Sequence, residues 1–189
     1  MFDPDQLPGE HALAYLRAHL RDVPDFPKPG ILFKDITPLL ADPRALHITF
    51  DLLAQRFIGE RIDVVVGVES RGFIFGGALS ARLNASFVPV RKPGKLPWKK
   101  DRVAYSLEYG EAELEMHEQS IKPGSRVVIV DDLLATGGTA KAAAELTQKQ
   151  GGVVTGYAFV VELDFLPGRT KLLEGTNPKP IVYSIVHVG

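Results

Sequence analysis

Val127-Val128-Ile129-Val130-Asp131-Asp132-Leu133-Leu134-Ala135-Thr136-Gly137-Gly138-Thr139 joins three chemically distinct pieces. Val127 to Val130 are apolar at every position, which suits a strand buried on both faces. Two adjacent carboxylates follow, then a loop of small residues that leads into a helix-compatible stretch. Small residues let backbone N–H groups approach an anion closely, and a helix N-terminus adds partial positive charge. The run therefore reads as a phosphate cradle over Ala135, Thr136, Gly137, Gly138 and Thr139. It is neither a Gly-x-x-x-x-Gly-Lys-Ser/Thr loop nor a Gly-x-Gly-x-x-Gly fingerprint. Asp131 and Asp132 would repel a phosphate, so they must face something else. Ribose hydroxyls, which donate hydrogen bonds, and a bridging Mg²⁺ are the natural candidates.

A second apolar run, Val64 to Val68, leads into Glu69-Ser70-Arg71-Gly72. Cations normally favour helix ends over helix starts, so an arginine at this start points to a bound anion. Arg91 to Lys100 carries five cations, two prolines and a glycine, and cannot be core. Lys99, Lys100 and Arg102 are read as solvated charges. Val103–Leu107 and Ala112–Met116 alternate as a hairpin around Tyr109-Gly110, an excursion from the main sheet. The five histidines show no paired ligand spacing, so no zinc site is assigned.

These groups need a scaffold. Leu13, Leu16 and Leu20 predict a short helix between His11 and Arg21. Pro24, Pro27 and Pro29 stiffen an extended loop up to Gly30. Asp42-Pro43 reads as an N-cap with proline at the first helical position, ahead of an apolar face on Leu46, Phe50, Leu53 and Phe57. Helices are expected over Arg71–Leu83 and Thr139–Gln150, and further strands over Phe87–Val90 and Val153–Val161. The repeated β-turn-α-β order predicts an α/β fold, a parallel sheet covered by helices on both sides. In such sheets ligands sit at the carboxyl ends of the strands, here after Val68 and Val130. The segment Gly175–Gly189 carries no usable motif. At 189 residues a single domain is expected across 1–189. The net charge of -1 excludes a strongly basic nucleic-acid binder or polybasic membrane anchor. The absence of cysteine excludes disulfides, thiolate metal sites and cysteine nucleophiles. No apolar run approaches the ~18 residues of a membrane span. The acidic, proline-broken N-terminal segment lacks a signal pattern, so a soluble cytoplasmic protein is expected.

Val127–Thr139 resembles the phosphoribosyl-pyrophosphate (PRPP) motif of the type I phosphoribosyltransferases. Phe26–Ile36, Glu69–Phe73, Arg91–Pro97 and Tyr105–Gly110 resemble, in the same order, the adenine-specific branch of that family. The resemblance implies a helix-flanked parallel sheet with a small hood, to which residues 1–34 contribute, and a flap over 92–118. It implies purine salvage, adenine + PRPP giving AMP and pyrophosphate, with Mg²⁺ held through substrate and water and no direct protein ligand. Asp131 and Asp132 would hold the ribose hydroxyls and Ala135 to Thr139 the 5′-phosphate. Glu69, Ser70 and Arg71 would form the pyrophosphate loop, with a cis Glu69–Ser70 peptide, and Arg71 would neutralise charge developing on the leaving group. Arg91, Lys92 and Lys95 would also bind pyrophosphate, with Arg91 reaching a neighbouring subunit of a homodimer. Phe33 would stack on the purine, backbone groups of Leu32 and Lys34 would read its edge, and Leu163 would close the pocket from the last-strand side. Lys34 stands where the family also uses arginine, which a backbone contact tolerates. Glu108 would exchange the purine's proton, whereas Glu111, Glu113 and Glu115 read as ordinary hairpin charges. Two rivals share the fold: a transferase for another base, and a PRPP-sensing transcription regulator, which would want a DNA-binding module and a basic face.

Overall fold

The computed structural model describes residues 9–106 and 111–189. Its centre is a five-stranded sheet of β3 (Val64–Val68), β4 (Ser86–Val90), β7 (Arg126–Leu134), β8 (Val153–Leu163) and β9 (Ile181–Val188), in the order β4-β3-β7-β8-β9. Every neighbouring pair is parallel, so the strands' carboxyl ends share one edge.

The twofold period of the strands splits the core into two layers. Val64, Val66, Val127 and Ile129 face α5 (Gly138–Lys149) and α6 (Gly168–Leu173). Val65, Val128 and Val130 face α1 (Glu10–Ala18), α3 (Pro43–Phe57) and α4 (Gly72–Leu83). Helix α3 starts as its sequence demands: the Asp42 carboxylate accepts the Ala45 N–H at 2.7 Å, and proline sits at the start. The first helix is shorter than the expected span, ending at Ala18.

Two antiparallel ribbons lie outside the sheet. β1 (Arg21–Pro24) pairs with β2 (Leu32–Asp35), and a short helix α2 (Thr37–Ala41) returns the chain to the core. The loop of Pro24, Pro27 and Pro29 is the turn of this ribbon. β5 (Lys100–Ser106) pairs with β6 (Glu111–His117), with Val103 opposite Leu114, as the alternation of the sequence implies.

Three expectations change. β7 continues past Asp131 and Asp132 to Leu134, so the strand does not end at the acid pair as expected but two residues beyond it. Gly175–Gly189 contains an edge strand, β9, beside β8. Leu163 therefore ends the penultimate strand in chain order, not the last. Among the described residues, no helix is long and apolar enough to cross a membrane.

Candidate active site

The carboxyl ends of β3 and β7 lie side by side, and their loops form one concavity. A cavity of about 460 Å³ is lined by residues that include Glu69, Ser70, Arg71, Lys92, Asp131, Asp132 and Thr139. A second, of about 200 Å³, runs along Arg71 and Asp131 to Ala140. Four separate sequence segments thus meet around Arg71.

Gly72 explains how α4 comes so close. A Cβ there would lie 2.7 Å from the Val130 carbonyl oxygen and 3.1 Å from Asp131 Oδ1, so only glycine lets this helix start rest on the end of β7. Arg71, the N-cap of α4, then pairs through Nε with Asp132 Oδ2. Burial works against the guanidinium's charge, but the hydrogen bond and charge of Asp132, helped by Asp131 and Asp35, raise its pKa. Asp132 is 5 % exposed. Among the described residues Asp131 pairs directly with no cation, although the charge of Arg71 reaches it; its Oδ1 accepts the Asp132 N–H at 2.9 Å. Burial, followed by the negative charge of Asp132, pushes the Asp131 carboxyl well above its ordinary range.

Glu69 turns away from the acids. It accepts Arg91 Nε at 3.2 Å and Nη2 at 3.0 Å, and the Lys92 N–H at 3.0 Å. The Arg91 hydrogen bonds hold its carboxyl below the usual range despite burial. Arg91 also donates to the Lys95 carbonyl at 3.1 Å, so its guanidinium is engaged within its own chain. The Glu69–Ser70 peptide is cis, as the resemblance implies.

The phosphate loop has a backing that the sequence did not reveal. Gly137 has φ +76, and a Cβ on it would meet the Gly168 carbonyl at 2.8 Å. A Cβ on Gly168 would run into the Ala135 carbonyl. The loop and the start of α6 therefore touch backbone to backbone. Thr139, on the first turn of α5, donates from Oγ1 to the Tyr105 hydroxyl at 3.3 Å.

On the β1–β2 ribbon, the Phe33 ring centroid lies 5.9 Å from Arg71 Cζ and 5.2 Å from the Phe26 ring, edge-on. Leu32 is 48 % exposed. Lys34 spends its ammonium on Asp22, at 2.6 Å across the ribbon, which leaves only its backbone for a ligand. Leu163 packs on the layer that contains Ile36 and Leu39, just below the ribbon.

Glu108 lies outside the described residues. The hairpin arms on either side are fastened to α5. Gln150 accepts the Ser120 and Ile121 N–H groups and donates to Asp101 and the His117 carbonyl, while Lys149 pairs with Asp101 at 2.8 Å. Two sequence readings fail here. Glu115 is fully buried and is not a surface charge, and Lys100 and Arg102 are paired to it at 3.3 and 3.0 Å and are not freely solvated. Strand alternation alone would put Glu115 on an open face; the cationic loop folds over that face and closes it.

Among the described residues, the one grouping of three carboxylate or histidine side chains close enough to share a cation is Glu162, Asp164 and His187. Glu162 is already taken by Arg169, at 2.8 and 2.6 Å, and by Ser184, at 2.6 Å.

The family model of the phosphoribosyl transferase domain matches residues 37–163. The chain is 79 % identical over 187 residues to a protein of Sorangium cellulosum named adenine phosphoribosyltransferase, covering 99 % of this chain and 94 % of the relative. A crystal structure of adenine phosphoribosyltransferase from Thermoanaerobacter pseudethanolicus superposes with a TM-score of 0.88 at 46 % identity, covering 93 % of this chain and 99 % of that one. The Saccharomyces cerevisiae enzyme, solved with adenine and an imino-altritol bisphosphate, gives 0.84 at 41 % identity over 93 % and 98 % of the two chains.

Proposed function

The chain belongs to the adenine phosphoribosyltransferases of the phosphoribosyltransferase family, and on that premise we propose how its residues divide the work. The enzyme serves purine salvage: it transfers the 5-phosphoribosyl group of PRPP to adenine and releases AMP and pyrophosphate. One observation carries the assignment of roles. Arg71 sits between the Phe33 ring and the Asp131–Asp132 pair, beside the phosphate loop, so base, ribose and phosphate positions converge on one side chain.

In this reading the N–H groups of Ala135 to Thr139 bind the 5′-phosphate at the start of α5. Asp131 and Asp132 accept hydrogen bonds from the ribose hydroxyls, for which Asp132 must exchange Arg71 for substrate. Released from Asp132, Arg71 faces the pyrophosphate as the bond from the anomeric carbon to its oxygen breaks and negative charge collects there. Lys92 and Lys95 add positive charge, and Glu69 holds Arg91 and Lys92 in place. Ser70 offers its backbone in the same loop. Phe33 stacks on adenine, the Leu32 and Lys34 backbone reads its edge, and Leu163 supports that wall. Adenine's ring nitrogen forms the new bond to the anomeric carbon, and its proton leaves to Glu108, which lies between β5 and β6 in the sequence.

Mg²⁺ suits this donor set as a passenger on PRPP and pyrophosphate. Of the site's three carboxylates, Asp132 is held by Arg71 and Glu69 by Arg91, and magnesium keeps most of its water. Bound this way it screens the charge of the leaving group. A homodimer is the assembly we propose, because α4 is apolar on nearly every side and still exposes Ile74 and Gly77. A cytoplasmic location suits a phosphorylated cosubstrate that does not cross membranes.

The test is product analysis after incubation with adenine, PRPP and Mg²⁺, beside a panel of other bases. AMP and pyrophosphate in equal amounts, from adenine alone, are expected. Turnover of another base in preference to adenine, or none at all, would overturn the reading.

A further inference from the structure

We propose that Glu115 is a positioning residue for pyrophosphate recognition, acting through the cationic loop without touching the ligand. The proposal rests on the functional reading above and concerns a buried ion that reading does not use.

Glu115 is 0 % exposed, in β6. Its neighbours Leu114 and Met116 are buried on the opposite face of the strand, as alternation requires. What covers Glu115 is the loop Arg91–Lys100. The attachment has two layers. In the backbone, Arg91 and Glu115 exchange N–H to carbonyl hydrogen bonds of 2.9 and 2.7 Å. In the side chain, Oε2 accepts the Gly94 N–H at 3.1 Å and lies 3.3 Å from Lys100 Nζ. Oε1 faces Arg102 Nε at 3.0 Å without a directed hydrogen bond. Lys100 in turn donates to the Leu96 carbonyl at 3.0 Å and so tethers the far end of the loop.

The loop is therefore held by two carboxylates. Glu69 grips its start from inside the cavity. Glu115 grips its middle and end from beneath. Five like charges within ten residues repel one another and would spread the loop into solvent. A carboxylate removed from water is a strong counter-charge and makes the folded loop the cheaper arrangement, provided its partners stay. Among the described residues, Lys92, which lines the cavity, and Lys95 form no close ion pair of their own. Their separation from Arg71 is set before ligand arrives, which is the condition for electrostatic recognition without reorganisation.

This predicts a selective defect. Pyrophosphate and PRPP need the loop; AMP, which carries only the 5′-phosphate, does not. Calorimetric titration of wild type and Glu115→Gln with pyrophosphate in excess Mg²⁺, and separately with AMP, reads the difference. Glutamine keeps an acceptor for Gly94 but loses both ion pairs. Pyrophosphate affinity and the KM for PRPP should worsen by about tenfold or more, while AMP affinity stays within about twofold and kcat at saturating PRPP within about threefold. Arg102→Gln removes one exposed partner, should fold whatever Glu115→Gln does, and should shift pyrophosphate in the same direction by about threefold. Equal loss of AMP and pyrophosphate, or unchanged pyrophosphate binding in Glu115→Gln, overturns the proposal. If Glu115→Gln fails to fold, unchanged pyrophosphate binding in Arg102→Gln overturns it. Wild-type protein that binds neither ligand overturns the functional reading first, a result distinct from either.

Discussion

Asp131 and Asp132 are neighbours in sequence, yet Arg71 reaches Asp132 while Asp131, half-buried, packs against the start of α4 at Gly72. The consequence is a pH effect of defined sign. The folded-state pKa of Asp131 lies above its unfolded value of about 3.9. Its contribution to stability is therefore complete below that value and is lost as pH rises through the folded one. Asp131→Asn removes this loss. The variant should melt higher than wild type at pH 7.5, by about 2–4 °C per kcal/mol relieved, and show no advantage at pH 4. Its transferase activity should collapse, because the amide puts an N–H₂ donor and no charge where a carboxylate oxygen would accept a ribose hydroxyl. A lower melting temperature at pH 7.5 would mean that the Asp131 charge is structural. The same separation of roles applies to Glu108. Glu108→Gln should lower kcat by about 10²- to 10⁴-fold with adenine affinity measured at equilibrium little changed, whereas Glu113→Gln, on β6, should be nearly silent. Weakened adenine binding with kcat intact would make Glu108 a binding group.

Elements differ in how far their own sequence announces them. Helix α3 carries its start signal, Asp42-Pro43, and its apolar face in consecutive residues, and β3 and the Val127–Val130 run of β7 are apolar because both faces are covered. Those features are local, so they could be read. β9 was missed because an edge strand needs only partial burial; its side chains run from exposed to buried without strict alternation. Gly168 was missed because its reason to be glycine lies across the chain, at the Ala135 carbonyl. Glu115 and Lys100 were misread because the burial of one and the pairing of the other are created by a loop's path. The phosphate loop, by contrast, was legible as residues but not as a mechanism of support. Gly168→Ala tests that support. Overpacking of this kind typically costs about 1–3 kcal/mol. The α6 start should be pushed off the loop, so AMP and PRPP, which share the 5′-phosphate, should weaken together while pyrophosphate binding holds. Pyrophosphate loss of the same size would show that the damage spreads beyond the loop.

At the scale of the whole molecule, the sheet edge opposite β4 is closed by a single buried carboxylate. Glu162 on β8 receives Arg169 from α6 through two hydrogen bonds and Ser184 from β9 at 2.6 Å, and Arg169 also donates to the Val182 carbonyl at 2.8 Å. One ion thus joins two strands to the helix that backs the phosphate loop. Burial opposes ionisation of Glu162, but the hydrogen bonds from Arg169 and Ser184, with the charge of Arg169, pull its pKa below the ordinary value. The sign is opposite to that of Asp131. The stabilisation is present above the unfolded pKa of about 4.3 and disappears as pH falls through the lower folded value. Glu162→Gln should therefore melt well below wild type at pH 7, and the gap should close as pH is lowered below about 4, because the wild type loses the same interaction by protonation. Thermal melts of both proteins from pH 7 to pH 3 measure this directly. A gap that stays constant across that range would show that Glu162 acts through shape and hydrogen bonding, with its charge irrelevant to the closure of the sheet.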